Sequence, residues 1–307
     1  MSTAGRLIAL DWGTTNVRAA LLDANGAVLA ARDGESGVGI LDTKGFGSRF
    51  DALVANWPNV PALAAGMVGS RQGWHEATYL ACPTSMDGLA NSLSRFQHLG
   101  RTVAIVPGLK MQTADHHDVM RGEETQIAGL LASRPVFEGT LVLPGTHSKW
   151  VHVKGGAVER FHTYMTGDMF SALSGHTMLR PSVADRVSKG ATGQTEGATF
   201  QQAVQDVFAA GGSGLRHFFD LRARSLLAGQ TVDQGRERLS GLLIGMEFQA
   251  AAQDGYDVQD VTFIGSQDLI ARYRGAGAVL GAQMESHYGT DLIWPALHNL
   301  AREARLV

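Results

Sequence analysis

Cysteine is almost missing from this chain: Cys82 is the only one in 307 residues. An internal disulfide and a cysteine-rich zinc site are both excluded, and a reducing compartment, the cytoplasm, is expected. Proline is sparse too, with 8 residues against 38 glycines, a balance that favours tight turns and close backbone approaches. No uninterrupted apolar run approaches the roughly 20 residues that span a bilayer, and no basic stretch followed by an apolar one opens the chain, so no membrane partner is expected. Excess charge is also absent. A formal net charge of -3 gives no electrostatic reason to expect a nucleic-acid partner. What remains is a mixed-charge globular composition, long enough for two domains, whose natural partner is a small molecule and which is compatible with a homo-oligomer.

The first half reads as a hairpin meander followed by alternating strands and helices. "LIALDWGTTNVRAALLD" (7–23) sits within two strands, 6–11 and 16–23, Asn25-Gly26 marks the next turn, and a third strand runs over about 27–32. Phe46, Phe50, Leu53, Val54 and Trp57 follow helical spacing up to Pro58. "ALAAGMVGS" (62–70) reads as a buried strand entering a glycine turn, "TVAIVPG" (102–108) as another strand, and Ile127, Leu130 and Leu131 as the apolar face of a helix that begins near Gly122.

At Thr140 the pattern restarts. "TLVLPGTHSKWVHVKGGAVERFHTYMTG" (140–167) is again strand, Gly-Thr turn, strand, glycine turn, strand. Gly13-Thr14 and Gly145-Thr146 hold matching positions in the two meanders. Farther on, Phe200, Val204, Val207 and Phe208 share a helix face, as do Leu239, Leu242, Leu243 and Met246, and "VTFIGSQDLIARY" (261–273) reads as strand, Gly-Ser turn and helix. An internal duplication is the simplest account, with one half over 1–135 and the other over 136–307.

Turns of this kind suit phosphate. Glycine permits close backbone approach, and threonine and serine add hydroxyl donors. Two such loops, one from each half, could grip a nucleotide's phosphates from opposite sides of a cleft. Asp11, where the first strand ends, could hold Mg2+, which keeps much of its water and needs few protein ligands. Each residue alone also has a plainer reading: Asp11 as a turn-forming aspartate, and Thr14, Thr15 and Thr146 as strand-edge threonines. There is no G-x-x-x-x-G-K-[ST], and "GAGAVLG" (275–281) follows a helical stretch instead of a strand, so neither a P-loop nor a dinucleotide fingerprint is present.

"LDWGTTNVRA" resembles the first phosphate motif, "LPGTHSKWV" the second, and "VTFIGSQDLIARY" the adenosine motif of the sugar kinase, heat-shock chaperone and actin superfamily. More narrowly, "DWGTTNVRA", "AAGMVGS", "DVMRGEETQ", "PGTHSKWV", "MTG" and "SGLLIGMEF", in this order, resemble the 2-dehydro-3-deoxygalactonokinase family over about residues 6–273. The "MRGEETQ" and "PGTHSKW" blocks are the specific ones; the phosphate loops identify only the superfamily. The resemblance implies an α/β fold of two similar ribonuclease-H-like domains of the actin-like ATPase kind, with an ATP cleft between them. It further implies phosphorylation of an acid sugar, 2-dehydro-3-deoxygalactonate, at its C6 hydroxyl with ATP and Mg2+. On that reading Asp11, Gly13, Thr14, Thr15, Asn16, Gly145, Thr146, His147, Ser148 and Lys149 serve the phosphates and metal, and Gly265 and Ser266 lie at the adenosine.

Phosphoryl transfer also asks for a group to take the hydroxyl proton. Glu123 and Glu124 open the helix in "GEETQIAGLL", where the helix dipole favours an ionised carboxylate. The resemblance puts the base on Glu123, with Glu124 second and Asp168 a competing carboxylate, although acids at helix starts are common whatever the function. An acid sugar needs a cation and polar partners. Arg18, Ser70, Arg71, Trp74 and Arg222 are the candidates, with Arg224 beside them; surface charge or core packing explains each about as well. "DHHD" (115–118) has the composition of a metal site but no ligand spacing that imposes one, so a polar loop before the catalytic helix is expected. The alternatives on the same fold are a kinase for another acid sugar such as 2-dehydro-3-deoxygluconate, a phosphoanhydride hydrolase, and a nucleotide switch.

Overall fold

The computed structural model describes residues 4–35, 37–39, 45–184, 197–210 and 214–307. They form two α/β units. One comprises Met1–Glu138, Val153–Arg160 and Gly289–Val307, and the other Gly139–His152 and Phe161–Tyr288.

The first unit opens with a meander of β1 (Leu7–Trp12), β2 (Val17–Leu22) and β3 (Val28–Gly34), followed by α1 (Gly45–Leu53) and β4 (Ala62–Ala65), which runs into a single 3-10 turn at Met67–Gly69. Then come β5 (Tyr79–Ala81), β6 (Thr84–Ser85), α2 (Met86–Asn91), β7 (Ser94–His98), β8 (Arg101–Ile105), β9 (Gly108–Gln112), β10 (His117–Met120) and α3 (Glu123–Ser133). The main sheet has the order β3-β2-β1-β4-β8-β7, and β10-β9-β5 form a small second sheet. β1 and β4 are parallel neighbours inside the sheet, so neither alternates: β4 is apolar throughout, β1 is apolar up to Asp11, and Leu7 to Leu10 are fully buried. β3 lies at the edge, leaves alternate residues exposed and carries Arg32 and Asp33 there. Phe46, Phe50 and Leu53 of α1 fall on one face at helical spacing and close the core over this sheet.

The second unit repeats the plan. β11 (Gly139–Leu143), β12 (Ser148–Lys154) and β13 (Ala157–Tyr164) form its meander. Then follow α4 (Thr166–His176), α5 (Arg180–Val183), α6 (Ala198–Ala209), α7 (Gly214–Leu227), α8 (Val232–Gln253), β14 (Asp260–Gly265), α9 (Gln267–Val279) and β15 (Gln283–Tyr288). Its strands run β15-β14-β11-β12-β13, with β11, β14 and β15 parallel. In the first unit β3-β2-β1-β4-β8 has the same order and the same three parallel members. The duplication expected from the two Gly-Thr meanders is thus a repeat of topology. α8 starts at a capping box between Thr231 and Gln234, and Gly241 and Gly245 let α6 lie directly on it: a Cβ on Gly241 would sit 2.5 Å from the carbonyl oxygen of Phe200.

The chain does not divide into two successive halves. α10 (Gly289–Glu303) belongs to the first unit, where it packs on α3, and so does the tip of the β12–β13 hairpin, where β13 pairs with β6. The reading that assigned 136–307 wholly to a second unit differs here because α10 has an ordinary amphipathic pattern, and such a pattern does not say which sheet it covers. The "DHHD" segment is the turn and first residues of the β9–β10 hairpin, closed by hydrogen bonds between Thr113 and His116. Among the described residues, no group of three or more His, Cys, Asp or Glu side chains could hold a metal, and no helix is long and apolar enough to cross a membrane.

Candidate active site

In the first unit the parallel strands β1 and β4 end side by side, with Asp11 opposite Ala65. Open parallel sheets place their ligands at such carboxyl ends. The loop from Gly13 to Asn16 is closed by the Gly13 N–H on the Asn16 carbonyl at 2.9 Å. The carbonyls of Gly13, Thr14 and Thr15 each accept from the backbone of the facing segment, from Val38, Gly39 and Gly37 at 3.0, 2.9 and 2.8 Å. In a trans peptide the N–H points opposite to the C=O, so the N–H groups of Thr14, Thr15 and Asn16 face away from that segment. Three outward amides in a row, with the side chains of all three residues exposed, are donors of the kind that anion-binding concavities use. Position 37 has to be glycine, because a Cβ there would lie 2.3 Å from the Thr14 carbonyl carbon.

Asp11 and Arg18 are register partners on β1 and β2, and their side chains form an ion pair. Arg18 is therefore held beside the loop by Asp11. Behind them, Gly66 has φ +94° and a Cβ there would be 2.8 Å from the Trp12 carbonyl oxygen; a Cβ on Gly122, φ +108°, would be 3.5 Å from the Gly66 Cα. The end of β1, the end of β4 and the start of α3 thus converge within van der Waals distance, with Glu123 following Gly122 at that junction.

The two glutamates differ. Glu123 is partly exposed, and one of its oxygens accepts the Arg121 N–H at 3.1 Å. Glu124 is fully buried; it accepts the Gly122 N–H at 2.6 Å and the Thr125 hydroxyl at 2.9 Å. Burial, reinforced by the neighbouring Glu123 charge, pushes the Glu124 carboxyl up to about 8.

Around the strand end that follows, the candidates separate. Arg71 is exposed, and the Ser70 hydroxyl is turned inward with no hydrogen-bond partner. The Trp74 ring is taken up by packing: it lies 5.2 Å from Phe50, 5.0 Å from Phe96, 5.0 Å from His98 and 6.1 Å from Trp12. Arg121, which the sequence reading did not single out, is buried. Its guanidinium donates to the Ala77 carbonyl at 2.7 Å, lies 4.2 Å over the Tyr79 ring and so ties residues 77–79 to the start of α3.

In the second unit the corresponding loop is Gly145–His147, with Thr146 and His147 exposed. α4 begins against it: a Cβ on Gly167 would lie 2.6 Å from the Gly145 carbonyl oxygen, and the Asp168 N–H donates to the Thr146 carbonyl at 3.0 Å. The Asp168 carboxylate lies 3.7 Å from His147. Two of the residues expected at phosphate point elsewhere. Ser148 is fully buried, with its hydroxyl 2.7 Å from the Tyr273 hydroxyl, and buried Lys149 donates to the Thr163 hydroxyl at 2.8 Å. Strand alternation alone left their direction open. Gly265 and Ser266 end β14 and open α9, with Gly265 packed against Pro144 at the head of the loop. Beside the loop is a cavity of about 230 Å³ lined by Gly145, Gly167, Phe170, Arg236, Ser240 and Arg272, among others. Arg236 lies 4.9 Å over the Phe170 ring, and Arg272 pairs with Glu237 at 3.2 Å. Arg222 is not at this loop; it stands on α7 with the Ser182 hydroxyl 3.5 Å away, and Arg224 pairs with Asp220 at 2.6 Å.

Two α/β units of one topology, each with a Gly-Thr loop after its first strand, have the layout of the actin-like ATPase fold, and the family match makes this chain a carbohydrate kinase of that fold. The comparisons with known proteins narrow this. Residues 11–300 match the family described as 2-keto-3-deoxy-galactonokinase, and the chain belongs to that family. It is 36% identical over 305 residues to the "Probable 2-dehydro-3-deoxygalactonokinase DgoK1" of Rhizobium meliloti (strain 1021), covering 98% of both chains. It is 32% identical to the 2-dehydro-3-deoxygalactonokinase of Escherichia coli (strain K12), covering 96% of this chain and 97% of that one. A crystal structure of a Sinorhizobium meliloti protein assigned to the same kinase superposes with a TM-score of 0.90 at 34% identity, over 96% of this chain and 98% of the other. The activator of the 2-hydroxyisocaproyl-CoA dehydratase from Clostridium difficile, with bound ADPNP, shares the fold alone, with a TM-score of 0.50 at 10% identity over 97% and 95% of the two chains.

Proposed function

We propose that this protein transfers the γ-phosphoryl group of ATP to the C6 hydroxyl of 2-dehydro-3-deoxygalactonate, giving 2-dehydro-3-deoxy-6-phosphogalactonate in galactonate catabolism. The observation that carries the reading is the family match over nearly the whole chain, together with a partly exposed carboxylate, Glu123, at the head of α3, whose start packs on the ends of β1 and β4.

On this reading Glu123 takes the proton of the attacking hydroxyl. Its partial exposure leaves it reachable, whereas Glu124 is enclosed and serves to close the helix start. The outward amides and hydroxyls of Thr14, Thr15 and Asn16 receive phosphate oxygens in the first unit, and the exposed Gly145–His147 loop does so in the second. The cavity beside that loop, with Gly265 and Ser266 nearby, is of a size and polarity that suit the adenosine moiety. Arg71 is the group for the sugar acid's carboxylate, and the Ser70 hydroxyl, enclosed here, would have to turn outward to meet a substrate hydroxyl.

Asp11 fits a magnesium ion that arrives with nucleotide phosphates. It is a single carboxylate at a strand end, next to the loop, and magnesium in such sites takes one or two carboxylates and keeps several waters. Bound there, the ion would neutralise phosphate charge; Arg18, paired to the same carboxylate, adds a fixed positive charge. A cytoplasmic location follows from the use of ATP and from the near absence of cysteine.

The test is a coupled ADP-release assay with a panel of 2-keto-3-deoxy acids, ordinary aldonates and neutral sugars. Turnover with 2-dehydro-3-deoxygalactonate well above that with its gluconate epimer is expected. Activity confined to neutral sugars would remove the substrate assignment, and ADP release indifferent to every acceptor would point to hydrolysis.

A further inference from the structure

We propose that Glu247 is a positioning residue for the second phosphate loop, acting through Tyr273, Ser148 and Thr166; the proposal deepens the kinase reading above and rests on it. Glu247 stands in the middle of α8, in the run "LLIGMEF", where every other side chain is apolar or absent. It is 3% exposed, and burial holds its carboxyl above the usual range. A buried carboxylate in an apolar helix does nothing for packing that leucine or methionine would not do better, and it persists only where its oxygens are well satisfied.

They are satisfied by three neutral donors, each from a different element. The Trp150 indole N–H of β12 donates to one oxygen at 2.7 Å, and the Tyr273 hydroxyl of α9 donates to the other at 2.6 Å, where the Thr166 hydroxyl at the start of α4 also donates. Because the Tyr273 proton goes to Glu247, the 2.7 Å contact between Tyr273 and Ser148 has the serine as donor. The Ser148 oxygen is then left to accept, and it faces the Gly145 N–H at 3.4 Å. One directed chain runs from Gly145 through Ser148 and Tyr273 to Glu247, and such chains strengthen cooperatively.

The second arm reaches the same loop from its other side. Thr166, held by Glu247, is followed by Gly167, which packs on the Gly145 carbonyl, and by Asp168, whose N–H holds the Thr146 carbonyl at 3.0 Å. A single carboxylate therefore fixes both flanks of Gly145–Thr146 and sets where the loop's exposed amides and hydroxyl stand. None of its three donors needs to touch the nucleotide for this.

The test compares the full-length protein with Glu247→Gln, Ser148→Ala and the double variant. ATP and adenosine affinities are measured by calorimetry, and KM for ATP and for the acid sugar by the coupled assay. Loss of one such hydrogen bond corresponds to about a tenfold effect. ATP binding and KM for ATP should each worsen about tenfold in either single variant, while KM for the acid sugar stays put in both; adenosine affinity stays put in Ser148→Ala, because Ser148 does not line the cavity beside the loop, as Thr166 and Tyr273 do. The double variant should be no worse than the worse single, since both cut one chain. Ser148→Ala removes only the loop end of the chain and leaves Glu247 with all three donors, so it tests the idea even where Glu247→Gln does not fold. Parallel losses for ATP and adenosine in Ser148→Ala, an additive double variant, or unchanged ATP affinity would each overturn the proposal. A wild-type protein that binds ATP yet phosphorylates no acid sugar would remove the kinase reading and leave the binding comparison to decide the role of Glu247.

Discussion

Glu123 and Glu124 are adjacent in the chain and meet opposite surroundings: Glu123 is partly exposed with an oxygen on the Arg121 N–H, and Glu124 is sealed in the protein with its oxygens on Gly122 and Thr125. With its carboxyl pushed up to about 8, Glu124 is mostly protonated at neutral pH, so glutamine there imitates the prevailing form. Glu123→Gln, by contrast, removes the proposed base. Glu123→Gln should lower kcat by about 10²–10⁴ with ATP binding intact, while Glu124→Gln stays within a few-fold of wild type. Steady-state kinetics and nucleotide titration on the two variants decide it, and the reverse ranking would move the base to Glu124.

The same carboxyl makes stability depend on pH. In the unfolded chain it titrates near 4.5, and in the folded protein near 8. Between these values the folded state holds a proton that the unfolded state has released, so raising the pH favours unfolding. The contribution is complete below pH 4.5 and is lost as the pH rises through 8. Urea unfolding at several pH values from 5 to 9 should show wild type losing stability relative to Glu124→Gln, by about 1.4 kcal/mol per pH unit at the steepest. Glu247, raised in the same direction, is present in both proteins and cancels from the difference.

Gly66 joins the strand ends to the start of α3. Alanine there would meet the Trp12 carbonyl oxygen at 2.8 Å and would adopt φ +94°. Gly66→Ala should cost about 1–3 kcal/mol and also lower kcat, because relief comes from moving Trp12 or Gly122. Gly100→Ala is the control: its φ is +76° but nothing lies within 4 Å, so it carries the backbone strain without the crowding. Thermal unfolding and turnover of the two variants separate the effects; equal losses of stability and unchanged turnover in both would contradict the role given to Gly66.

The parts of this molecule that could be read from sequence are those with a local cause. The meander strands are apolar runs broken by Gly-Thr turns, and α1 and α8 show their faces at helical spacing. What could not be read depends on partners far along the chain. Ser148 and Lys149 are neighbours of an exposed loop, yet their side chains are spent on Tyr273 and Thr163, which sequence alternation cannot name. Arg121 lay inside a block already singled out, but its role needs Ala77 and Tyr79 beside it. Glu247 did leave a signal, a lone acid in an apolar stretch of helix. The short strands β5, β9 and β10 left none, since three to five residues with half-exposed faces carry no period.

The segment from Ser70 to Trp74 divides into a packing half and an exposed half, and mutation should show the division. Trp74 is surrounded by Trp12, Phe50, Phe96 and His98, so its truncation removes core and not a sugar contact. Trp74→Ala should destabilise by about 3–5 kcal/mol, and Trp74→Phe should restore much of that stability while KM for the acid sugar stays at the wild-type value. Arg71 is exposed and contributes little to folding, so Arg71→Ala should leave the melting temperature within a degree or two. If its guanidinium meets the substrate carboxylate, the same change raises KM for the acid sugar by roughly tenfold or more and leaves KM for ATP alone. Thermal melts and two-substrate kinetics on the three variants resolve the matter: a raised sugar KM in Trp74→Phe would return the indole to the substrate, and an unaltered sugar KM in Arg71→Ala would send the search for the carboxylate's cation elsewhere.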